Sequence, residues 1–302
     1  MSTRIVITGA NGHIGRAVLE RLWDGNAETF AIVRAVGALR ANKVLVDSLD
    51  SARAFKLIHQ ADVVIHLAGA LDPKPSDTYY GANVATSAAV ARAARGSNVK
   101  RIIYLSYLDA KESSPNEYLN TKARAERLLL EINIPTVIFR CSHVIGDPQS
   151  PGRLASMLLS REGEPVKILG TGKQIIAPVY LGDVAEAIVR AVEYGRSGTF
   201  ELSGPDRMTL DDLARLLNRD PQVPISHLAD RLAMFLSKMI PGLPAALVDI
   251  MVGPSAGNPA EAIRQFRLCL HSLGSVWNAP VGPIPDMSVH SNAAIAELPL
   301  SL

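Results

Sequence analysis

Over its first two thirds the chain alternates short, uninterrupted apolar runs with longer stretches in which apolar residues recur every three or four positions. Residues 4–8, 29–33 and 63–68 are runs of the first kind. They are too short for a buried helix and too uniformly apolar for a half-exposed strand, so each predicts a strand covered on both faces. Residues 12–23, 51–60, 78–95 and 118–131 carry the helical spacing, and 44–46, 101–106 and 136–140 supply further strands. Strand–helix alternation of this kind predicts parallel strands joined by right-handed crossovers, an α/β fold with a doubly wound parallel sheet. After Gly146 the rhythm changes. Asp147-Pro148 and Ser150-Pro151-Gly152 mark a loop. A strand is expected at 166–169, a helix at 181–194, a strand at 200–202 and a helix at 210–217. Thr209 suits the N-cap of that last helix, with Asp211 and Asp212 in its first turn.

The 302 residues are 48% apolar but only 5% aromatic, enough aliphatic material for one large core or a core plus an annex. A net charge of +2 with no basic stripe argues against nucleic acid as a partner. Two cysteines, Cys141 and Cys269, argue against a secreted disulfide framework. No signal-peptide pattern opens the chain, so a cytoplasmic location is expected. The most apolar later stretch, 228–252, is broken by Asp230, Arg231, Lys238, Pro241, Pro244 and Asp249, too often to span a bilayer. Its Ala233, Met234, Leu236, Met239 and Ile240 suit a helix face. Closing a pocket or packing on the main domain is the leading role for that face, ahead of a dimer or membrane-surface contact. The seven histidines are scattered with no ligand spacing, so no metal is expected.

The sharpest local signal is Thr8-Gly9-Ala10-Asn11-Gly12-His13-Ile14-Gly15, which follows a strand and opens a helix. Gly9 allows a tight turn, Gly12 lets the backbone approach a pyrophosphate, and Gly15 lets the helix pack on the sheet. The helix N-terminus adds free N–H groups and partial positive charge. His13 within this loop reads better as a space-filling side chain than as a catalyst. The end of the second strand reads Phe30-Ala31-Ile32-Val33-Arg34. Arg34 stands where an acid would take the ribose hydroxyls of NAD, and a guanidinium suits the 2′-phosphate of NADP. NADP(H) is therefore the preferred cofactor, with NAD(H) still possible. A solvated surface role for Arg34 is the competing reading. Asp47, after the third strand, suits either the adenine amine or a loop cap.

Tyr118 and Lys122 lie four apart at the start of a predicted helix, hence on one face. A phenol ordinarily titrates near pH ~10, and an adjacent ammonium favours the phenolate. Lowering its pKa by about three units takes roughly 4 kcal/mol. The same Lys122 suits the nicotinamide ribose.

With these pieces in place the chain resembles the short-chain dehydrogenase/reductase superfamily, in its extended and atypical branch of NAD-dependent epimerase/dehydratase-like proteins. The resemblance runs over roughly residues 3–218. It includes Asp62 to Gly69 as the fourth strand and the turn, Leu67-Ala68-Gly69, beside the cofactor. It includes Gly81-Ala82-Asn83-Val84 at the start of the next long helix, Ala177 to Ala185, and Phe200 to Pro205 with Thr209-Leu210. It implies a Rossmann domain over 1–146 with parts of 175–205, and a smaller, mostly helical substrate-side region over 147–174 and 206–302. It implies that Asn83 holds a helix kink and a water in a proton path. It also implies an NADP(H)-dependent oxidoreductase or epimerase-type enzyme acting on a small-molecule substrate, with Tyr118 as acid/base. The alternative it carries is a catalytically silent NAD(P)-binding subunit, sensor or assembly factor. Relatives often form a homodimer through the helices that begin here near Thr78 and Tyr118.

One departure bears on catalysis. The family places a substrate-polarising hydroxyl second in a Ser-Ser or Ser-Thr pair at the end of the fifth strand, where this chain has Ser106-Tyr107. Ser106 supplies the hydroxyl after a small shift, Tyr107 supplies a phenol, or the function is absent. Cys141, in place of the usual proline after the strand-six Arg140, reads as inert packing. The last eighty or so residues carry no nucleotide-sugar signature.

Overall fold

The computed structural model describes residues 2–23, 25–35, 37–73, 77–161, 164–229 and 244–278. In chain order, β1 (Arg4–Thr8), α1 (His13–Trp23), β2 (Glu28–Val33), β3 (Lys43–Val46), α2 (Ala52–His59) and β4 (Val63–His66) come first. A π turn, Tyr80–Ala85, leads into α3 (Thr86–Ala94), followed by β5 (Arg101–Tyr107), α4 (Glu117–Leu130), β6 (Thr136–Cys141) and β7 (Val144–Ile145). Then come α5 (Arg153–Met157), β8 (Val166–Leu169), β9 (Ile175–Ile176), β10 (Val179–Tyr180), α6 (Leu181–Glu193) and β11 (Gly198–Leu202). The described chain ends with β12 (Met208–Thr209), α7 (Leu210–Asn218), β13 (Ile225–Leu228), α8 (Ala245–Val252), α9 (Ala260–Phe266) and α10 (Leu273–Asn278).

Seven strands form one sheet in the order β11-β6-β5-β4-β1-β2-β3, and every neighbouring pair is parallel. This is the doubly wound α/β sheet that the alternating pattern predicts. Both of its faces are covered, which is why the strands read as unbroken apolar runs. On one face Ile5, Ile7, Ile65, Ile103 and Phe139 pack under α1, α6 and Phe266 of α9. On the other Val6, Ile32, Val64, Ile102 and Tyr104 pack under α2, α3 and α4. A second apolar core joins Ile145, Ile168, Leu213, Leu247 and Trp277 beyond the carboxyl ends of the strands.

Most boundaries differ from the sequence reading by a residue or two, and three differences bear on the site. The 63–68 run stops being strand at His66, because the chain turns aside there, anchored by Leu67 N donating to Thr8 O. The 78–95 helix opens as a π turn, with the hydroxyls of Thr86 and Ser87 both donating to Asn83 O. β5 continues to Tyr107, which pairs in register with Cys141. Of the expected apolar helix face, Ala233, Met234, Leu236, Met239 and Ile240 lie outside the described residues. No helix among the described residues is long and apolar enough to cross a membrane.

Candidate dinucleotide and active site

The strand order reverses between β1 and β4, and a cleft opens beyond their carboxyl ends, the usual ligand position in an open α/β sheet. Gly9 has φ +67°, and a Cβ there would come within 2.6 Å of Ala68 N. Gly12 donates to Gly9 O at 3.0 Å. A Cβ on Gly12 would meet only that oxygen, at 3.1 Å, and nothing else within 4 Å. The backbone face there is open to an approaching diphosphate. Gly15 sits against the turn, its Cβ position 2.6 Å from Gly9 O. The cleft has a volume of about 430 Å³ and is lined by Gly9, Asn11, Gly12, Arg34, Asp47, Leu67, Ala68 and Gly69, all named from the sequence. Its shape and donors fit a dinucleotide. Two residues of the glycine turn point elsewhere. Ile14 packs against the core, and His13 Nε2 donates to Ser150 O at 2.8 Å, holding the 146–152 loop over the turn.

At the adenosine end Asp47 accepts from Ser48 N and from Arg53 Nε, each at 2.8 Å, and the Ser48 amide holds its carboxyl below the usual carboxylate range. Arg34 crosses the cleft to Asp77, Nη1 to Oδ2 3.0 Å, yet its side chain is 75% exposed. An exposed pair of this kind contributes about 0–1 kcal/mol, so Arg34 remains available to a stronger partner.

At the inner end the side chains of Gly69's neighbours converge. A Cβ on Gly69 would lie 2.8 Å from Asn83 Oδ1 and 3.8 Å from Lys122 Nζ. Lys122 Nζ donates to Leu105 O at 2.5 Å and lies 4.2 Å from the centre of the Tyr104 ring. Burial lowers its pKa to about 7. α4 is fixed to the sheet by the buried Glu126 carboxylate, which accepts from Arg140 at 3.0 and 2.6 Å. Asn83 is fully buried in the π turn. Its Oδ1 accepts from Ala70 N at 3.2 Å, and its Nδ2 donates to Thr121 Oγ1 at 3.2 Å.

Tyr118 lies in an apolar cluster with Tyr79, Tyr107, Leu108 and Ala246 and Ile250 of α8. Burial pushes its phenol well up. The Ser106-Tyr107 pair splits between the sheet's two faces, as alternation requires. Ser106 shares the face of Tyr104, and its hydroxyl is buried with no hydrogen-bond partner. Tyr107 faces the other way, edge-on to Tyr118 at 5.7 Å, with its hydroxyl 2.6 Å from His143 Nδ1 and 3.4 Å from Ser255 Oγ.

The model of the NAD dependent epimerase/dehydratase family matches residues 5–202. The chain belongs to that family. Among curated proteins, it is 29% identical over 227 residues to the mitochondrial NADH dehydrogenase (ubiquinone) 1 alpha subcomplex subunit 9 of Arabidopsis thaliana, covering 70% of this chain and 56% of that protein. It is 28% identical to the methionine adenosyltransferase 2 subunit beta of Mus musculus, covering 75% of each. The chain spans less than two thirds of the NADH dehydrogenase relatives it matches, at 56%, 59% and 59%. Among solved structures, a UDP-glucuronic acid 4-epimerase from Bacillus cereus in complex with NAD superposes with a TM-score of 0.74 at 18% identity, over 91% of this chain and 96% of that one. At that identity the likeness shows the fold.

Three features of this family member escape the sequence reading. The first is a buried relay joining the glycine turn to the π turn. Ala68 N donates to Thr8 Oγ1, the Thr8 hydroxyl contacts His66 Nδ1 at 2.7 Å, His66 Nε2 contacts Ser87 Oγ at 2.9 Å, and Ser87 Oγ donates to Asn83 O at 2.7 Å. Since Ser87 donates onward, it must accept from His66 Nε2–H. Burial lowers the pKa of His66 to about 3, so the ring is neutral and Nδ1 accepts from the Thr8 hydroxyl. Its polar ring inside an otherwise apolar strand was the available signal. The second is His143, whose Nε2 is buried without a partner. The third is Asn116, which caps α4 through Leu119 N at 3.2 Å and donates to Ala246 O at 3.0 Å.

Proposed function

We propose that this family member binds NADP(H) and holds it rather than turning it over, as a subunit or sensor within a larger assembly. The observation that carries this reading is the closure around Tyr118. Tyr79, Tyr107, Leu108, Ala246 and Ile250 form an apolar cluster with it, and the hydroxyl of Tyr107 is engaged by His143. Tyr107 stands where the family places its substrate-polarising hydroxyl. α8 packs against the Tyr118 side chain through Ala246 and Ile250, and its Ala246 carbonyl is held by Asn116. The names of the curated relatives, a subunit of NADH dehydrogenase and a subunit of methionine adenosyltransferase, support an accessory role. Arg34 at the cleft supports NADP(H) over NAD(H), because paired charge-assisted bonds to phosphate outweigh its exposed ion pair. The composition, with two cysteines, supports a reducing cytoplasm.

The retained Tyr118–Lys122 spacing favours a second reading, an NADP(H)-dependent oxidoreductase or epimerase working on a small, largely apolar carbonyl or hydroxyl compound. Bound nicotinamide would supply or accept the hydride. Lys122 would hold the ribose, and Tyr118 would exchange a proton with the substrate oxygen.

The test is a titration of the full chain with NADPH and NADH, followed by a panel of carbonyl compounds with wild type and Tyr118→Phe. NADPH binding that is retained in Tyr118→Phe, with no NADPH consumption, is the expected result. Consumption that disappears in Tyr118→Phe moves the chain to the second reading. No binding of either dinucleotide sinks both.

A further inference from the structure

The carboxylate missing from the end of β2 returns to the cleft from another element. Three carboxylates line its adenosine end, those of Asp47, Asp50 and Asp77. Asp47 is tied to Ser48 N and Arg53, and Asp50 accepts from Ser48 Oγ, so both serve their own segment. Asp77, which precedes the π turn, instead reaches across to Arg34 at 3.0 Å. The two ends of this ion pair are unequally held. Asp77 Oδ1 accepts from Thr78 N at 2.9 Å and lies so close to Gly81 that a Cβ there would be 2.6 Å away. Its side chain is 21% exposed, against 75% for Arg34. The carboxylate is the fixed end, and the guanidinium is the end free to swing.

We propose that Asp77 sets how strongly the cleft discriminates between NADPH and NADH. The inference rests on the reading of this cleft as an NAD(P) site. With NAD(H), Arg34 stays on Asp77, and the remaining lone pairs of the carboxylate accept from the ribose 2′-hydroxyl, the task an acid at the end of β2 performs in NAD-specific relatives of the fold. With NADP(H), Arg34 leaves Asp77 for the 2′-phosphate, since an exposed pair holds it only weakly. The anchored carboxylate then stays beside the phosphate as a like charge. Arg34 alone would make a strict NADPH site. The Arg34–Asp77 pair makes a tempered one.

The experiment compares wild type, Asp77→Asn, Asp77→Ser and Arg34→Ala, each as the full chain, titrated with NADPH and with NADH at low and high salt. Asn and Ser both keep an oxygen for Thr78 N while removing the charge. Removing one like charge near the phosphate is expected to tighten NADPH binding about five-fold, with NADH unchanged or weaker and the gain shrinking at high salt. An unchanged NADPH-to-NADH ratio in both Asp77 variants, while Arg34→Ala still loses NADPH affinity, overturns the proposal and leaves the cleft reading intact. If the wild type binds neither nucleotide, the cleft reading itself fails.

Discussion

His66 shows how much a single ring can settle. It is fully buried, joins Thr8 to Ser87 and stacks at 5.4 Å on Tyr104, whose ring also faces Lys122. His66→Leu keeps the bulk but leaves two buried hydroxyls without their partner, which is expected to cost about 2–4 kcal/mol in urea unfolding. Burial lowers the pKa of His66 to about 3 and that of His143 to about 4, while both return near 6.5 when unfolded. Between those values the unfolded chain binds more protons than the folded one. The stability these neutral rings confer is therefore complete above pH ~6.5 and is lost as the pH falls toward 4 and then 3. Unfolding free energies measured in urea are expected to drop by several kcal/mol from pH ~6.5 to ~4. A flat profile there would contradict the two neutral rings. Lys122, lowered to about 7, acts in the window above: its neutral form makes stability rise with pH from about 7 toward its unfolded value of 10.5.

Among the elements, the start of α4 matters most, because it carries Tyr118 and meets α8. Asn116 has extended backbone angles, its side-chain oxygen takes Leu119 N, and its amide donates to Ala246 O. Asn116→Ala is expected to cost about 1–2 kcal/mol and to speed amide exchange in both 117–121 and 245–252. Asn116→Asp keeps the cap but loses the donated bond and adds charge near Asp249, so faster exchange is expected in 245–252 alone. Unchanged exchange in 245–252 for Asn116→Asp, while Asn116→Ala speeds it, would mean that the cap, not the bridge, holds α8. The helix start near Tyr118 is legible from periodicity, yet Ser113, Ser114 and Asn116 are all chemically able to cap it. Asn116 takes the role, and the same side chain also reaches Ala246 O of α8. At α7, by contrast, the cap is legible: Thr209 accepts from Asp212 N, and the Asp212 side chain returns a bond to Thr209 N, since every atom involved lies within one turn.

Across the whole molecule the chain beyond the second core comes back to close the first. Phe266 of α9 is fully buried and meets Phe139 at 4.9 Å and Phe200 at 5.0 Å, covering the sheet where β11 adds to β6. Phe266→Ala is expected to destabilise the protein by about 3–5 kcal/mol, read as a lower denaturant midpoint. An effect under about 1 kcal/mol would show that α9 is dispensable to the main core. Trp277 works in the opposite direction, donating from Nε1 to Gly146 O at 3.0 Å while His13 grips Ser150. The loop between them is thus held from both the glycine turn and the second core.

The parallel sheet, the glycine turn and the helix that carries Tyr118 and Lys122 were readable from the sequence because each is a local pattern. Strand burial is written in apolar runs, a turn in Gly spacing, and a helix face in an interval of four. The fate of the Ser106-Tyr107 pair was not readable, because it depends on which partner meets Tyr107, and His143 and Ser255 come from other segments. The same holds for Asp77 against Arg34, for His66 between Thr8 and Ser87, and for α8 over Tyr118. Each is a contact between residues distant in sequence, where no periodicity constrains who meets whom. Only the packed chain determines those partners, and with them whether the phenol of Tyr118 meets a substrate or an apolar wall.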